Sequence, residues 1–228
     1  MSDDARSDYK GTWNAISQTL DAARCAILGS LEESEFGRTA AITCRNLEAT
    51  VGIRQSDVIL EIGCGIGRVG TVLAPCCREW IGCDVSSNML NLAKDRLSGL
   101  DNIRLVEISG FDLQPIGAST VDMVYCHVVL MHLWPADRYG YIVEARRVLR
   151  PGGRLFIDNI DMTTDEGWEI FEKDRALLLP PKRPPHMSMM STPDELRTYL
   201  LRAGFENVTT RNVAFWVQAW GNKATAAG

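Results

Sequence analysis

The apolar positions along the chain change period twice. Over residues 11–57, Trp13, Ile16, Leu20, Ala23 and Ile27 recur at three- and four-residue steps, one face of an amphipathic helix. A second helix is predicted over 38–51, with Gly52 as its stop. From Val58 the pattern becomes short apolar runs alternating with helical segments. It predicts strands at 58–62, 80–84, 103–108, 121–128 and 154–158, and helices at 66–75, 86–97 and 139–149. Pro75 closes the first of those helices, Ser86 or Ser87 caps the second, and Arg150-Pro151-Gly152-Gly153 stops the third. Strand–helix alternation over short links implies a mostly parallel sheet covered on both faces, a doubly wound α/β fold.

After Asp158 the rhythm breaks. Residues 159–191 hold Trp168, Phe171, the run Leu177-Leu178-Leu179, four prolines and Met187, Met189 and Met190. A helix over 165–177 followed by a Pro-rich loop describes them, and an insertion of this length at a strand end reads as a lid. Thr192-Pro193-Asp194-Glu195 opens a last helix that Gly204 ends. Strands at 205–211 and 213–220 then form a hairpin turning on Arg211-Asn212, so one edge strand is antiparallel. The chain thus divides as one domain into a helical cap (1–54), a core (55–158), a lid (159–191) and a closing helix and hairpin (192–228).

Composition narrows the class. The chain has 228 residues, 46 % hydrophobic and 23 % charged, which suits one sizeable globular core. A formal charge of −5 argues against a general polyanion binder, so nucleic acid is not expected as a partner. The acidic, polar start from Met1 to Lys10 is unlike a signal peptide, and no apolar run reaches the roughly 18 residues of a membrane span, so a cytoplasmic protein is expected. Seven cysteines at irregular spacing, without paired CxxC motifs, read as buried thiols in a reducing compartment and not as a metal site.

Candidate chemistry concentrates at Val58 to Gly70, where an apolar strand enters a glycine cluster and a helix start. Gly63, Gly65 and Gly67 clear side chains from the turn, so a ligand can reach backbone there. Gly65-Ile66-Gly67-Arg68-Val69-Gly70 fits the dinucleotide fingerprint GxGxxG, with Asp84 about 20 residues on. Glu61 weighs against that reading. A carboxylate inside the apolar run is costly unless paired, and a pyrophosphate site has no use for an anion there. A ligand with a cationic head suits it better.

The segment Leu60-Glu61-Ile62-Gly63-Cys64-Gly65-Ile66-Gly67 resembles the first motif of class I S-adenosylmethionine-dependent methyltransferases, E/D-x-G-x-G-x-G. Segments Ile81–Leu90, Gly110–Leu113, His127–Leu133 and Arg147–Leu155 resemble the family's later motifs in order and spacing. The resemblance covers about residues 55–160 and implies a three-layer, Rossmann-like sheet of seven strands in order 3-2-1-4-5-7-6 with strand 7 antiparallel. It also implies S-adenosylmethionine as cofactor and a methyl acceptor as partner. On that footing Gly63, Cys64, Gly65 and Gly67 would meet the amino-acid end of the cofactor, and Glu61 would orient it through water or a backbone amide. Arg68 would partner either Glu61 or the cofactor carboxylate. Asp84, with Val85 beside it, would hold the ribose hydroxyls; its alternative is helix capping near Ser86. Met89 would pack on adenine or simply fill the core. Ser109, Gly110 and Phe111 would form the adenine loop, Ser109 standing where relatives often carry an acid. Asp112 reads as a loop cap and Asp122 as structural.

On the acceptor side, His127 at the end of the fourth strand would face cofactor or substrate, and His127 or His132 would serve as a base where one is needed. Asp158 and Asn159 end the fifth strand beside them. Trp13, Trp168, Phe171, His186 and Met187 are expected as the substrate lid, with Tyr9 closing from the N-terminal side, which points to a small apolar or aromatic acceptor. Lys182-Arg183 would meet an anionic group or lie in solvent. No acidic pair marks a metal-dependent catechol type. A homodimer is left open. The competing functions are an NAD(P)-dependent oxidoreductase and a non-catalytic S-adenosylmethionine-binding module.

Overall fold

The computed structural model describes residues 7–177 and 183–225. Leu178, Leu179 and Lys182 lie outside the described residues. The sheet contains β1 (Val58–Ile62), β2 (Glu79–Asp84), β3 (Ile103–Glu107), β4 (Val121–Cys126), β5 (Leu149–Ile160), β6 (Phe205–Val213) and β7 (Trp216–Lys223). Their order is β3-β2-β1-β4-β5-β7-β6, parallel except for β7, which runs antiparallel to both neighbours. This is the seven-stranded, Rossmann-like sheet that the resemblance implies.

Around the sheet lie helices α1 (Tyr9–Ile16), α2 (Leu20–Leu28), α3 (Glu33–Thr50), α4 (Gly70–Leu73), α5 (Ser87–Arg96), α6 (Pro135–Val148), α7 (Asp165–Leu177) and α8 (Pro193–Arg202). β1 is buried along its whole length, because both its faces are covered. Leu60 and Ile62 pack with Val124, Leu155, Ile142 of α6 and Leu196 of α8. Ile59 packs on the other face with Trp80, Met123, Leu47 of α3 and Leu73 of α4. Successive residues of a strand point to opposite faces, so one apolar run serves two cores.

Several boundaries differ from the periodic reading, each for a local reason. The first amphipathic segment is two helices: the Ser17 hydroxyl bonds back to the Trp13 carbonyl at 2.6 Å, and the Thr19 side chain caps α2 by accepting from Ala22 N–H. The helix expected over 66–75 shrinks to α4 plus a 3₁₀ turn at Ala74–Cys76, because the glycine turn at 63–67 takes up the preceding residues. The segment after β4 is a 3₁₀ turn at Leu130–His132, not a helix. The hairpin turns on Ala214 and Phe215, three residues further along than Arg211-Asn212; Asn212 stays in β6, its side-chain amide donating to Asp161. Ala214 takes the left-handed conformation the turn requires, φ +50°, without a glycine or asparagine to advertise it.

Arg138 of α6 is almost wholly buried and fastens the end of the inserted segment to the sheet. Its guanidinium donates to the carbonyls of Leu130, Leu133, Met189 and Met190, to Ser191 Oγ and to Glu195 Oε1. All seven cysteines are free thiols. Among the described residues, no helix is long and apolar enough to cross a membrane.

Candidate functional site

The carboxyl ends of β1, β2, β4 and β5 open on one cavity of about 720 Å³, in the upper half of the roughly 300–1,000 Å³ typical of ligand sites. Its floor is the turn after β1. Gly63 and Cys64 N–H groups both donate to the Cys83 carbonyl, at 2.8 and 2.9 Å, which folds the turn against the end of β2. Gly63 has φ +72°, and a Cβ there would come within 2.3 Å of Val129 Cγ2, so no other residue fits. Gly65 N–H donates to Asp84 Oδ2 at 2.8 Å, and Ser86 N–H donates to Asp84 Oδ1 at 2.9 Å. Asp84 therefore clamps the turn from the end of β2, while Ser86, not Asp84, is the cap of α5. Burial pushes the Asp84 carboxyl up to about 6, against the pull of the Ser86 and Gly65 amides.

Glu61, 4 % exposed, accepts a hydrogen bond from the Tyr125 hydroxyl on β4, and that oxygen in turn accepts from Trp80 Nε1 at 3.1 Å. The chain Trp80–Tyr125–Glu61 crosses three adjacent strands and delivers a carboxyl to the cavity floor. Burial drives Glu61 up to about 8, opposed by the Tyr125 hydrogen bond and by the Arg68 charge. Arg68 is 7 % exposed, and its Nη1 is buried without a hydrogen-bond partner. Desolvation lowers its pKa, opposed first by Glu61.

At the end of β4, His127 Nδ1 pairs with Asp158 Oδ2 of β5, and Val128 N–H donates to Asp158 Oδ1 at 2.9 Å. His132 lines the cavity near its mouth; its Nδ1 donates to the His186 carbonyl at 2.8 Å, and its ring lies 5.0 Å from the Trp13 ring. Helix α1 is held over this mouth. Ser86 Oγ donates to Asn14 Oδ1 at 2.8 Å, Asn88 Nδ2 donates to the Asn14 carbonyl at 3.0 Å, and Tyr9 Oη donates to Asp137 and accepts from Trp134 N–H.

Of the residues singled out in the sequence, the cavity is lined by Glu61, Gly63, Cys64, Gly65, Arg68, Asp84, Val85, Met89, Gly110, His127, His132, Trp13 and Tyr9. Met89 also packs with Ala23, Phe36 and Ile66, so it serves cavity wall and core together. Gly67 is not part of the lining; it faces Ala93 of α5 and Leu97 just past that helix. Ser109 caps its own loop by accepting from Phe111 and Asp112 N–H, and Phe111 is 52 % exposed with its ring tilted against Tyr9. Asp112 accepts from Gln114 N–H, and Asp122 accepts from Val58 N–H and pairs with Arg150, both structural as expected. Trp168 and Phe171 stack on one another outside the cavity lining, and Met187 closes a turn on Pro184. His186 meets the site through its carbonyl, which accepts from His132, and through its ring contact with Trp13. Met187, Met189 and Met190 are not among the lining residues, and Arg138 holds the Met189 and Met190 carbonyls.

Much of the remaining wall comes from residues the sequence did not single out as site residues. Ala26, Ile27 and Leu28 of α2, Arg38, Ile42 and Asn46 of α3, and Val213, Ala214, Phe215 and Trp216 at the hairpin tip all face the cavity. One signal was available: Arg38, Ile42 and Asn46 recur every four residues, a helical stripe beside the buried one of Phe36, Ala40, Thr43 and Leu47. Among the described residues, no three His, Cys, Asp or Glu side chains gather as a metal ion would need.

Residues 60–157 match the family described as a methyltransferase domain. A demethylmenaquinone methyltransferase of Tropheryma whipplei is 27 % identical over 151 residues, 66 % of this chain and 58 % of that protein. The matched stretch thus spans less than two thirds of that curated relative. An O-methyltransferase of Aspergillus nomiae is 27 % identical over 190 residues, 78 % of this chain and 79 % of that one. Among solved structures, magnesium protoporphyrin IX methyltransferase from Synechocystis with bound SAH superposes with a TM-score of 0.68 at 17 % identity, covering 95 % of this chain and all of that one (100 %).

Proposed function

We propose that the chain is an S-adenosylmethionine-dependent methyltransferase acting on a small apolar or aromatic acceptor, a reading supported by the match of residues 60–157 to the family described as a methyltransferase domain. One observation carries the reading: a single cavity gathers a clamped acid at the end of β2, a buried acid near the end of β1 and, beside that second acid, an unpartnered guanidinium nitrogen. Each oxygen of Asp84 accepts one backbone N–H and keeps a lone pair for a ribose hydroxyl. Glu61 suits the ammonium of the cofactor's amino-acid end, and Arg68 Nη1 suits its carboxylate, which would satisfy a buried donor. Val85, Met89 and Ile108 supply an apolar slot at the end of β2 and β3 for the base. The cofactor supplies, when bound, an electrophilic methyl on a sulfonium.

What the chain itself contributes is alignment and exclusion of water. Tyr9 and Trp13 of α1 cover the donor side, latched through Asp137 and the His132–His186 contact. The acceptor side is assigned to α2, α3 and the hairpin tip, with cap, core, inserted segment and closing hairpin acting as one domain. A formal charge of −5 supports a small acceptor over a nucleic acid. The test is transfer of a tritiated methyl group to a panel of hydroxyl, amine, thiol and carboxylate compounds. Label in a small acceptor is the expected result. Label in nucleic acid contradicts the acceptor class, and cofactor binding without transfer to any acceptor favours the non-catalytic module.

A further inference from the structure

The deepest polar contact on the acceptor side joins β4 to β5. Asp158 is 1 % exposed and spends both oxygens on the turn after β4, one on Val128 N–H and one on His127 Nδ1. Val128 has φ +61°, a conformation that a β-branched residue adopts only when its surroundings impose it. Strain of this kind at a strand end, anchored by a buried carboxylate, fixes where the preceding side chain points. His127 accordingly lines the cavity, with 17 % of its side chain exposed. A carboxylate only accepts, so the Nδ1 position carries the proton and Nε2 is the basic nitrogen on the cavity side. The Trp216 ring lies 6.1 Å from the imidazole, and Phe215 continues the same wall.

We propose that His127, positioned by Asp158, is the general base for a hydroxyl acceptor carried on a flat apolar body, which makes this an O-methylation site. The proposal rests on the methyl-transfer reading above and names its acceptor class. The acceptor oxygen forms a bond to the methyl carbon as the carbon–sulfonium bond breaks with its electron pair passing to sulfur. The hydroxyl proton moves to His127 Nε2, and the resulting imidazolium is held against Asp158 until it yields the proton to solvent. Of the common acceptors, a hydroxyl gains most from such a base. A carboxylate arrives without a proton, and a neutral amine attacks through a free lone pair, whereas a phenol ionises only near pH 10. Arg68 and Cys126 interact electrostatically with Asp158, and the other charged or titratable groups lining the same cavity are Glu61 on β1, Cys64 after it, Asp84 on β2, Arg38 on α3, His132 after β4, Tyr141 on α6 and Tyr9 on α1.

His127→Gln and Asp158→Asn test this in the full chain, with S-adenosylhomocysteine binding and thermal melting as controls for folding. On a phenol panel each variant is expected to lose roughly 10²- to 10⁴-fold in kcat, with S-adenosylhomocysteine affinity kept within about threefold, and with the acid limb of the wild-type pH–rate profile gone in His127→Gln. His127→Ala is expected to regain rate with added imidazole. A second readout needs no turnover: the free wild-type chain should show a downfield imidazole proton resonance that both His127→Gln and Asp158→Asn abolish. Full rate on hydroxyl acceptors in His127→Gln overturns the dyad, as does methylation confined to amines, thiols or carboxylates, or cofactor binding without transfer to any hydroxyl. In each of those cases the donor site still stands. Failure to bind either S-adenosylmethionine or S-adenosylhomocysteine overturns the methyl-transfer reading itself, and the base with it.

Discussion

Two carboxyls on the cavity floor bind protons more tightly in the folded chain than their ordinary values of 4.5 and 3.8 allow: Glu61 is raised to about 8 and Asp84 to about 6. Both therefore contribute stability that is complete below about pH 4 and is lost as the pH climbs through about 6 and then about 8. Glu61→Gln removes the upper part of that dependence. Thermal unfolding of the free chain from pH 5 to 9 is expected to show the wild type losing ground to the variant as pH rises; parallel curves would show that Glu61 titrates normally. Glu61 was legible in the sequence because a charge inside an apolar run demands a reason. Its hydrogen-bond donor was not: Tyr125 lies 64 positions away on a strand whose residues read only as core. Arg68 was visible as an open question, and the orphaned Nη1 narrows it.

At the scale of elements, strands announced themselves as apolar runs, and the alternation alone was enough to order the helices between them. What escaped was the cavity wall built by α2, α3 and the hairpin tip. Trp168 and Phe171 are large and apolar, which marks them for burial somewhere, but periodicity says nothing of which surface meets them. The hairpin tip escaped for the opposite reason, since Ala214 adopts a turn conformation that glycine or asparagine usually signals. Paired substitutions separate the two assignments. Trp216→Ala is expected to raise the acceptor KM at least several-fold while leaving S-adenosylhomocysteine affinity unchanged, and Trp168→Ala is expected to alter neither; the reverse pattern in steady-state kinetics would return the acceptor wall to the insertion. Arg138→Ala tests the fastening of the inserted segment. Losing a buried guanidinium with six acceptors is expected to cost about 3 kcal/mol or more, a fall in Tm of roughly 6–12 °C, and a Tm change within 2 °C would show that the segment is held by other means.

For the molecule as a whole, the strand order places three acids and a histidine from β1, β2, β4 and β5 around one opening, at the switch point where such sheets hold their ligands. That convergence followed from the sequence once the sheet order was granted, because each of those residues lies within two positions of its strand's carboxyl end. The cap's share did not follow, since α2 and α3 pair with no strand and their packing is set by tertiary contact alone. A ligand that fills the cavity stabilises only the folded chain, by about 2.7 kcal/mol at a hundredfold excess over Kd. The most direct measurement is calorimetric titration of the full chain with S-adenosylmethionine, S-adenosylhomocysteine and NAD, repeated on Asp84→Ala. Binding of both sulfur ligands and not of NAD is the expected result, with affinity falling about tenfold to a hundredfold or more in the variant as charge-assisted bonds of roughly 1.5–3 kcal/mol each are lost. Heat with NAD alone, or wild-type affinity in Asp84→Ala, would contradict the site.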